Sequence, residues 1–240
     1  MLYSIGNRIW ILSMEEETDR PNLGYIQGSK DSLFIDVGNS PRHMEKMMQA
    51  LNVQNLPLPT MAVLTHWHWD HTFGLCAFEG ISFSTKETAR QLSLMQSWKW
   101  DHQSMRNRLK SGEEILFCHH HMRMEYENTE NIQIKLPTVT FEKRLEINLG
   151  DRTVELEKIG GPHSEDSLWA YLPEEKVLFA GDADSGDYYG LEGQYDSMKL
   201  RKYIERLEEK DFELYIHGHR PILKKKEILK ELYLALNHMK

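Results

Sequence analysis

Four side chains that can bind a metal ion occur within six residues of this chain, in the segment His66-Trp-His-Trp-Asp-His71. The segment follows Met61-Ala-Val-Leu-Thr65, a short apolar run typical of a strand that is buried on both faces. A loop at the end of such a strand can turn several side chains towards one point. Imidazole and carboxylate groups suit Zn, Fe, Mn or Co, so the segment predicts a catalytic metal site.

The chain has 240 residues, of which 40% are apolar and 28% are charged. The spacing of its apolar residues predicts both strands and helices, and the sequence has no internal repeat. Strands are expected at 8–13, 23–28, 32–36, 61–65, 81–85, 139–147, 152–159, 168–172, 176–180 and 213–217. Helices are expected at 42–51, 86–110, 198–210 and 224–239. This order suits two mixed sheets that pack together with helices outside.

The segment from Thr65 to His71, followed by Gly74, resembles the Thr-His-x-His-x-Asp-His signature of the metallo-β-lactamase superfamily. Further family motifs resemble four segments that occur in the same order, Phe34-Ile-Asp36-Val-Gly38, Gly161-Pro-His163-Ser164, Phe179-Ala-Gly-Asp182 and Ile216-His-Gly-His219-Arg-Pro221. The resemblance implies an α/β fold, a four-layer αββα sandwich of two mixed β-sheets flanked by helices. It also implies one domain over residues 1–240, with a helical insertion around 86–136.

The resemblance implies a set of seven metal ligands. One metal ion would be held by His66, His68 and His163, and a second by Asp70, His71 and His219, with Asp182 between the two ions. Asp36 would support the ligands from behind. The residues alone leave His217 open as the last ligand, since His217 and His219 both flank Gly218, and the family motif favours His219.

The expected chemistry is hydrolysis at two divalent metal ions, with zinc favoured and iron or manganese as alternatives. A metal-bound hydroxide would attack a small ester, thioester, lactone or phosphodiester, and Asp70 or Asp182 would manage the proton. Asp182 stands where one β-lactamase branch has a cysteine, which makes lactam hydrolysis a weaker expectation. Two alternatives stay open, a mononuclear iron oxygenase similar to the persulfide dioxygenases and a non-catalytic metal- or ligand-binding relative.

Charge and composition limit the partners. A formal net charge of −8 argues against nucleic acid, and no apolar run reaches the ~18 residues of a membrane span. The two cysteines, Cys76 and Cys118, form no Cys-x-x-Cys pair, and no signal-peptide pattern is visible, so a reducing, cytoplasmic location is expected. A small-molecule substrate is expected, and the Met-rich helical segment suggests homodimerisation as an open hypothesis.

Several aromatic residues and histidines near these motifs have two interpretations. Trp67 and Trp69 would either wall the metal pocket or anchor its loop in the core. Met and Trp residues between 92 and 105 are expected in the core or an interface, with a substrate cleft as the alternative. Tyr188 and Tyr189 would either donate a hydrogen bond to an oxyanion or only pack. His119-His120-His121 is expected to be solvated surface, because adjacent side chains diverge.

Overall fold

The computed structural model describes residues 1–239, and within them the strands form two mixed sheets. The first sheet has seven strands in chain order, β1 (Leu2–Ile5), β2 (Ile9–Leu12), β3 (Leu23–Gln27), β4 (Ser32–Ile35), β5 (Met61–Val63), β6 (Ile81–Thr85) and β7 (Val139–Phe141). Strands β1 to β4 are antiparallel to one another, whereas β4 to β7 run parallel. Parallel pairing places the carboxyl ends of β4 to β7 at one edge of the sheet.

The second sheet has six strands, β8 (Arg144–Asn148), β9 (Thr153–Lys158), β10 (Leu168–Leu172), β11 (Val177–Gly181), β12 (Leu214–His217) and β13 (Leu223–Lys224). Neighbours in this sheet are antiparallel except for β11 and β12, which are parallel. This parallel pair gives the second sheet an edge where two carboxyl ends meet, as in the first sheet.

Helices cover the outer face of each sheet. They are α1 (Pro41–Val53), α2 (Trp69–Thr72), α3 (Lys86–Gln96), α4 (His102–Ser111), α5 (Leu116–Glu125), α6 (Ser197–Glu209) and α7 (Lys225–His238). Helices α1 and α3 to α5 contribute to the core on the first sheet, and α6 and α7 to the core on the second. No helix between residues 1 and 239 has both the length and the apolar composition that crossing a membrane requires.

Strand alternation explains the layers. In β2, Ile9 and Ile11 face the core between the two sheets, whereas Leu12 faces the helical side. In β11, Phe179 enters the core between the sheets and Leu178 packs under α6 and α7. Because successive side chains of a strand point to opposite faces, a strand with apolar residues at every position needs a packed layer on each side. The predicted αββα sandwich is confirmed.

One predicted helix and one predicted strand are each divided into two elements in the structure. The single helix expected at 86–110 ends at Gln96, and α4 begins after Asp101, whose carboxylate accepts hydrogen bonds from the backbone N–H groups of Gln103 and Ser104 at 2.9 and 3.0 Å. An N-cap of this kind starts a new helix. The strand expected at 139–147 is two strands, because the chain leaves the first sheet after Phe141 and enters the second at Arg144.

Candidate metal centre

The candidate metal-binding side chains follow the carboxyl ends of parallel strands in both sheets. Asp36 comes directly after β4, and the segment 66–71 follows β5. Asp182 follows β11 and His219 follows β12, whose pairing sets Gly181 opposite His217. The two sheets meet at this edge, where the N–H of Leu168 donates to the carbonyl oxygen of Thr65 at 2.9 Å. Strand ends from both sheets therefore open on one crevice, a common place for a ligand site.

One donor cluster consists of three buried histidines. His66, His68 and His163 each offer a nitrogen, and these atoms lie within 4.8 Å of one another. The Nδ1–H of His163 donates to the carbonyl oxygen of Gly186 at 2.8 Å, and its Nε2 lies 2.9 Å from Nδ1 of His68. Burial lowers the pKa of His66 and of His68 well below its usual value, so both rings are neutral. Neutral imidazole is the form that binds a metal ion.

A second donor cluster joins two carboxylates and two imidazoles, Asp70, His71, Asp182 and His219, with ligand atoms within 4.8 Å of one another. Nε2 of His71 lies 3.0 Å from Asp70 and 3.5 Å from Asp182, and Nε2 of His219 lies 2.8 and 3.6 Å from the same carboxylates. The ring centroids of His66 and His71 are 4.3 Å apart. The two clusters are therefore immediate neighbours.

The second cluster is held by opposite charges. Burial alone would lower the pKa of His71, but the carboxylates of Asp70, Asp36 and Asp182 outweigh burial and hold this pKa well above its usual value. Burial likewise would raise the pKa of Asp182, and the neighbouring imidazoles of His219, His217 and His71 reverse the effect. A divalent ion would take the place of the imidazole protons as the positive charge between these carboxylates.

Buried side-chain atoms without a hydrogen-bond partner indicate that these residues fit a pair of metal ions. Nε2 of His66, Nε2 of His71 and Oδ1 of Asp182 are buried without a hydrogen-bond partner among residues 1–239. Such atoms are rare because burying an unpaired polar group costs free energy. Gly218 keeps the space between them open, since a Cβ there would lie 2.3 Å from Oδ1 of Asp182. Nitrogen and carboxylate donors of this kind suit divalent zinc, iron or manganese.

Asp36 orients the candidate ligand His71 by accepting a hydrogen bond from the ring nitrogen that faces away from the second cluster. Its carboxylate accepts hydrogen bonds from the backbone N–H of Thr65 at 2.7 Å, from the Thr65 hydroxyl at 2.8 Å and from Nδ1–H of His71 at 2.8 Å. The bond to Nδ1 leaves the lone pair of His71 on Nε2, towards the second cluster. Asp36 has a φ of 60°, a conformation that Asp and Asn tolerate better than most residues.

His217 lies outside both donor clusters. Its Nδ1 accepts a hydrogen bond from the backbone N–H of His219 at 2.8 Å, and its Nε2 lies 3.0 Å from the hydroxyl of Ser185. The side-chain amide of Asn22 donates to the carbonyl oxygens of His217 and Arg220 at 2.8 Å. Both ring nitrogens of His217 therefore serve to hold the turn that presents His219.

A cavity of about 380 Å³ opens on the two clusters. Three other parts of the chain complete its lining. They are the N-terminal residues Glu16 and Asp19, the residues Ser185, Tyr188, Tyr189, His217 and Arg220 after β11 and around the end of β12, and the α5 region with Ile115, Phe117, Cys118 and His121. Sequence reasoning missed the α5 region. The signal that could have found it is the spacing of four between Phe117 and His121, which places both on one helix face.

The histidine triplet is corrected accordingly. Only His120 is exposed, whereas His119 is buried and His121 lines the cavity. Because residues three or four apart share a helix face, three consecutive histidines on α5 point in three directions. The prediction that all three are solvated surface is therefore wrong for His119, which is buried, whereas His121 is half-buried on the lining of the cavity.

The aromatic residues separate by role. The ring of Trp67 lies 4.5 Å from that of His68 and 4.9 Å from that of Tyr189, beside the cavity. Trp69 is buried in the core against the first sheet, where Leu92, Met95, Trp100 and Met105 also pack. The prediction that Met and Trp residues between 92 and 105 pack in the core is therefore confirmed for these residues. Tyr188 is half exposed, and the hydroxyl of Tyr189 donates to Glu114 at 2.9 Å.

Comparisons with known proteins agree with this architecture. A metallo-beta-lactamase from Pontibacter korlensis superposes with a TM-score of 0.70 at 19% identity, covering 99% of both chains. The sec-alkylsulfatase Pisa1 from Pseudomonas sp. superposes with a TM-score of 0.70 at 17% identity, over 98% of this chain and 40% of that one. At these identities the likeness concerns the fold alone.

Sequence comparison adds curated relatives and a family. The chain is 28% identical over 176 residues to the acyl-coenzyme A thioesterase MBLAC2 of Gallus gallus, covering 70% of this chain and 58% of the relative. It is 26% identical over 191 residues to the Homo sapiens protein of the same name, covering 75% and 64%. The chain thus spans about three fifths of the length of these relatives. The sequence model of the metallo-beta-lactamase superfamily matches residues 18–219. The chain belongs to the metallo-beta-lactamase superfamily.

Proposed function

We propose that this protein is a dinuclear metal-dependent hydrolase, with zinc as its metal, that cleaves a thioester substrate. The observation that carries the proposal is the pair of adjacent donor clusters at the floor of one cavity. With Asp182 shared between the clusters, each metal ion would have three protein ligands of its own and would keep room for a water molecule. An open position is what separates a catalytic site from a structural one.

In this proposal each ligand keeps the role implied by the family motifs. His66, His68 and His163 hold one ion, and a second ion is held by Asp70, His71 and His219. Asp182 would lie between the two ions; its carboxylate oxygens are 3.5 and 3.6 Å from Nε2 of His71 and of His219 in the second cluster. Its negative charge also acts on His66 and His68 in the other cluster, where it favours the protonated rings.

When bound, the two ions would lower the pKa of a water molecule and polarise the scissile carbonyl group. The protein residues orient and protect this chemistry. Of the four carboxylates that line the cavity, Asp70 and Asp182 belong to the second donor cluster, and in this proposal they would accept and return a proton there. Burial raises the pKa of the Cys118 thiol well above its usual value, which makes this pocket residue a poor nucleophile.

The thioester substrate is supported by two observations. The cavity of about 380 Å³ falls in the range of small-molecule sites. The curated relatives are named acyl-coenzyme A thioesterases. Esters, lactones and phosphodiesters are the competing substrates for the same pair of clusters. A reducing, cytoplasmic location belongs to the proposal too, since Cys76 and Cys118 are both free.

Elemental analysis and a substrate panel test the proposal together. The protein, grown without metal supplementation, is analysed for metals and then assayed for thiol release from acyl-coenzyme A esters, with a lactone and a phosphodiester in parallel. We expect two zinc ions per chain, fewer in both Asp182→Ala and His163→Ala, and an unchanged number in His120→Ala. One iron per chain would favour the oxygenase, and no metal uptake on titration would favour a non-catalytic relative.

A further inference from the structure

We propose that the α5 wall, defined as Ile115, Phe117, Cys118 and His121, binds the acyl group of the substrate and selects for an apolar one. The inference rests on the thioester hydrolysis proposed above and states which part of the substrate this side of the cavity contacts. All four residues line the cavity that also exposes the candidate ligands His68, Asp70, His163, Asp182 and His219. When the carbonyl group of a substrate reaches these donors, the rest of the substrate lies against the other residues that line the cavity.

The α5 wall offers apolar surface that the protein core does not use. Phe117 is 51% exposed, although its ring lines a concave site. Ile115 is half-buried beside it, and burial keeps the Cys118 thiol protonated by raising its pKa. An uncharged thiol behaves as a small apolar group. Exposed aromatic and aliphatic side chains inside a pocket favour an apolar ligand over water.

His121 holds Phe117 in place. The two residues are four positions apart on α5, and the Nδ1–H of His121 donates to the carbonyl oxygen of Phe117 at 2.8 Å. Their ring centroids lie 4.1 Å apart with an interplanar angle of 39°. A ring in close, tilted contact restricts the rotamers of the phenyl ring, so the apolar surface exists before the substrate arrives. His121 is therefore a positioning residue for the α5 wall.

Both ends of the helix that carries the α5 wall are anchored. Before the helix, the buried carboxylate of Glu114 accepts hydrogen bonds from the N–H of Ile115 and the hydroxyl of Tyr189, each at 2.9 Å. At its end, the buried carboxylate of Glu125 accepts from Arg20 at 2.7 and 3.1 Å and from the Ser40 hydroxyl. A surface fixed at both ends discriminates between ligands by size and shape.

The charges around the cavity argue against an anionic group at the α5 wall. Arg220 is the one arginine or lysine among the lining residues within 1–239, and it lies 3.4 Å from the buried carboxylate of Asp184. Glu16 and Asp19 add carboxylates to the same lining. A phosphate on this side would meet like charges, whereas an acyl chain would not. The apolar acyl group is therefore the occupant that fits.

Binding of an alkyl thioether of coenzyme A, which cannot be hydrolysed, tests the inference by calorimetry. Phe117→Ala is expected to weaken binding of S-dodecyl-coenzyme A by about tenfold, because one pocket side chain is worth that much discrimination. S-ethyl-coenzyme A carries the same nucleotide and should bind Phe117→Ala and the original protein alike. Leu116→Ala, a change at a neighbouring side chain that is 72% exposed, is the matched control and should alter neither affinity. Equal weakening of both thioethers, or no weakening, would overturn the inference.

Hydrolysis provides the second measurement. In Phe117→Ala and His121→Ala, kcat/KM for dodecanoyl-coenzyme A should fall relative to acetyl-coenzyme A, with the metal content unchanged. A parallel loss on both substrates would contradict a role in selection. Should the original protein hydrolyse neither thioester, the proposed function fails, while thioether binding still decides whether the α5 wall holds an acyl chain.

Discussion

The strand ends and the α5 wall border the same cavity, yet their side chains are held in different ways. At the strand ends, short loops and strand register place the donors, as where Asp36 binds Thr65 and His71 beyond two adjacent parallel strands. The α5 wall depends on contacts between distant residues, since Arg20 and Glu125 are 105 positions apart and Glu114 and Tyr189 are 75 apart. Changes at the strand ends should therefore affect metal binding, and changes at the anchors of α5 should affect stability.

The largest effect is expected from Asp182→Ala. Loss of this carboxylate removes the group between the two clusters and should lower hydrolysis by about a hundredfold to a thousandfold. Steady-state kinetics and metal analysis of the same preparation measure it. Asp211→Ala removes an exposed carboxylate and should leave both quantities unchanged. Normal activity in Asp182→Ala would remove Asp182 from the proposed ligand set.

Glu125→Ala tests the anchor of α5. The substitution leaves the buried Arg20 guanidinium with Glu15 as its remaining carboxylate partner, so the free energy of unfolding should fall by about 3 kcal/mol. Urea denaturation measures the change, with Glu130→Ala at an exposed position as the control. Metal content per folded chain should stay the same. A loss of metal without a loss of stability would contradict the division of roles between the two regions.

Asp36→Asn tests the support behind His71. Asparagine tolerates the φ of 60° at this position, but its amide can no longer accept all three hydrogen bonds. Metal affinity should fall by about tenfold to a hundredfold, as is usual when a ligand loses its orienting partner. Competition with a chelator measures the affinity, and Asp31→Asn at an exposed site is the control. An unchanged affinity would show that His71 needs no such support.

Tyr189→Phe should have the smallest effect. It removes one hydrogen bond to Glu114 while keeping the ring against Trp67, so the free energy of unfolding should fall by about 1 kcal/mol. Tyr188→Phe, at a half-exposed ring, should change it by less than about 0.5 kcal/mol. Thermal denaturation compares the two. A larger loss in Tyr188→Phe would mean that the exposed tyrosine, and not the Glu114 contact, stabilises this side of the cavity.

Prediction from sequence succeeded where the pattern is local. The apolar run before His66 marks a buried strand, and the motifs at Asp36, His163, Asp182 and His219 each follow a strand or a tight turn. Those patterns led to the fold class and the family, both of which are confirmed. The structure also brings the predicted donors into two clusters, while their binding of metal, the single domain over 1–240 and homodimerisation stay predictions.

Prediction failed at two breaks that the hydrophobic period of the sequence does not mark. The break between α3 and α4 depends on the cap at Asp101 and on Trp98 and Trp100, whose rings pack against Arg108. The hydrophobic period predicted one continuous helix, because the residues between Gln96 and His102 include no Gly or Pro that would mark a break. Residues 139–147 were likewise predicted as one strand, because both halves have the composition of a strand. They differ only in their partner strands, since β7 pairs with β6 and β8 pairs with β9.

The sequence by itself determined the family through short motifs, and the resemblance to that family implied the αββα fold, whereas periodic apolar residues indicated only where strands and helices lie. The tertiary structure alone decided that His219, and not His217, joins the second cluster, because the ring nitrogens of His217 contact Ser185 and the backbone of His219. It also decided that Phe117 and His121 line the cavity. Their position depends on buried ion pairs and hydrogen bonds between distant parts of the chain, which no local pattern encodes.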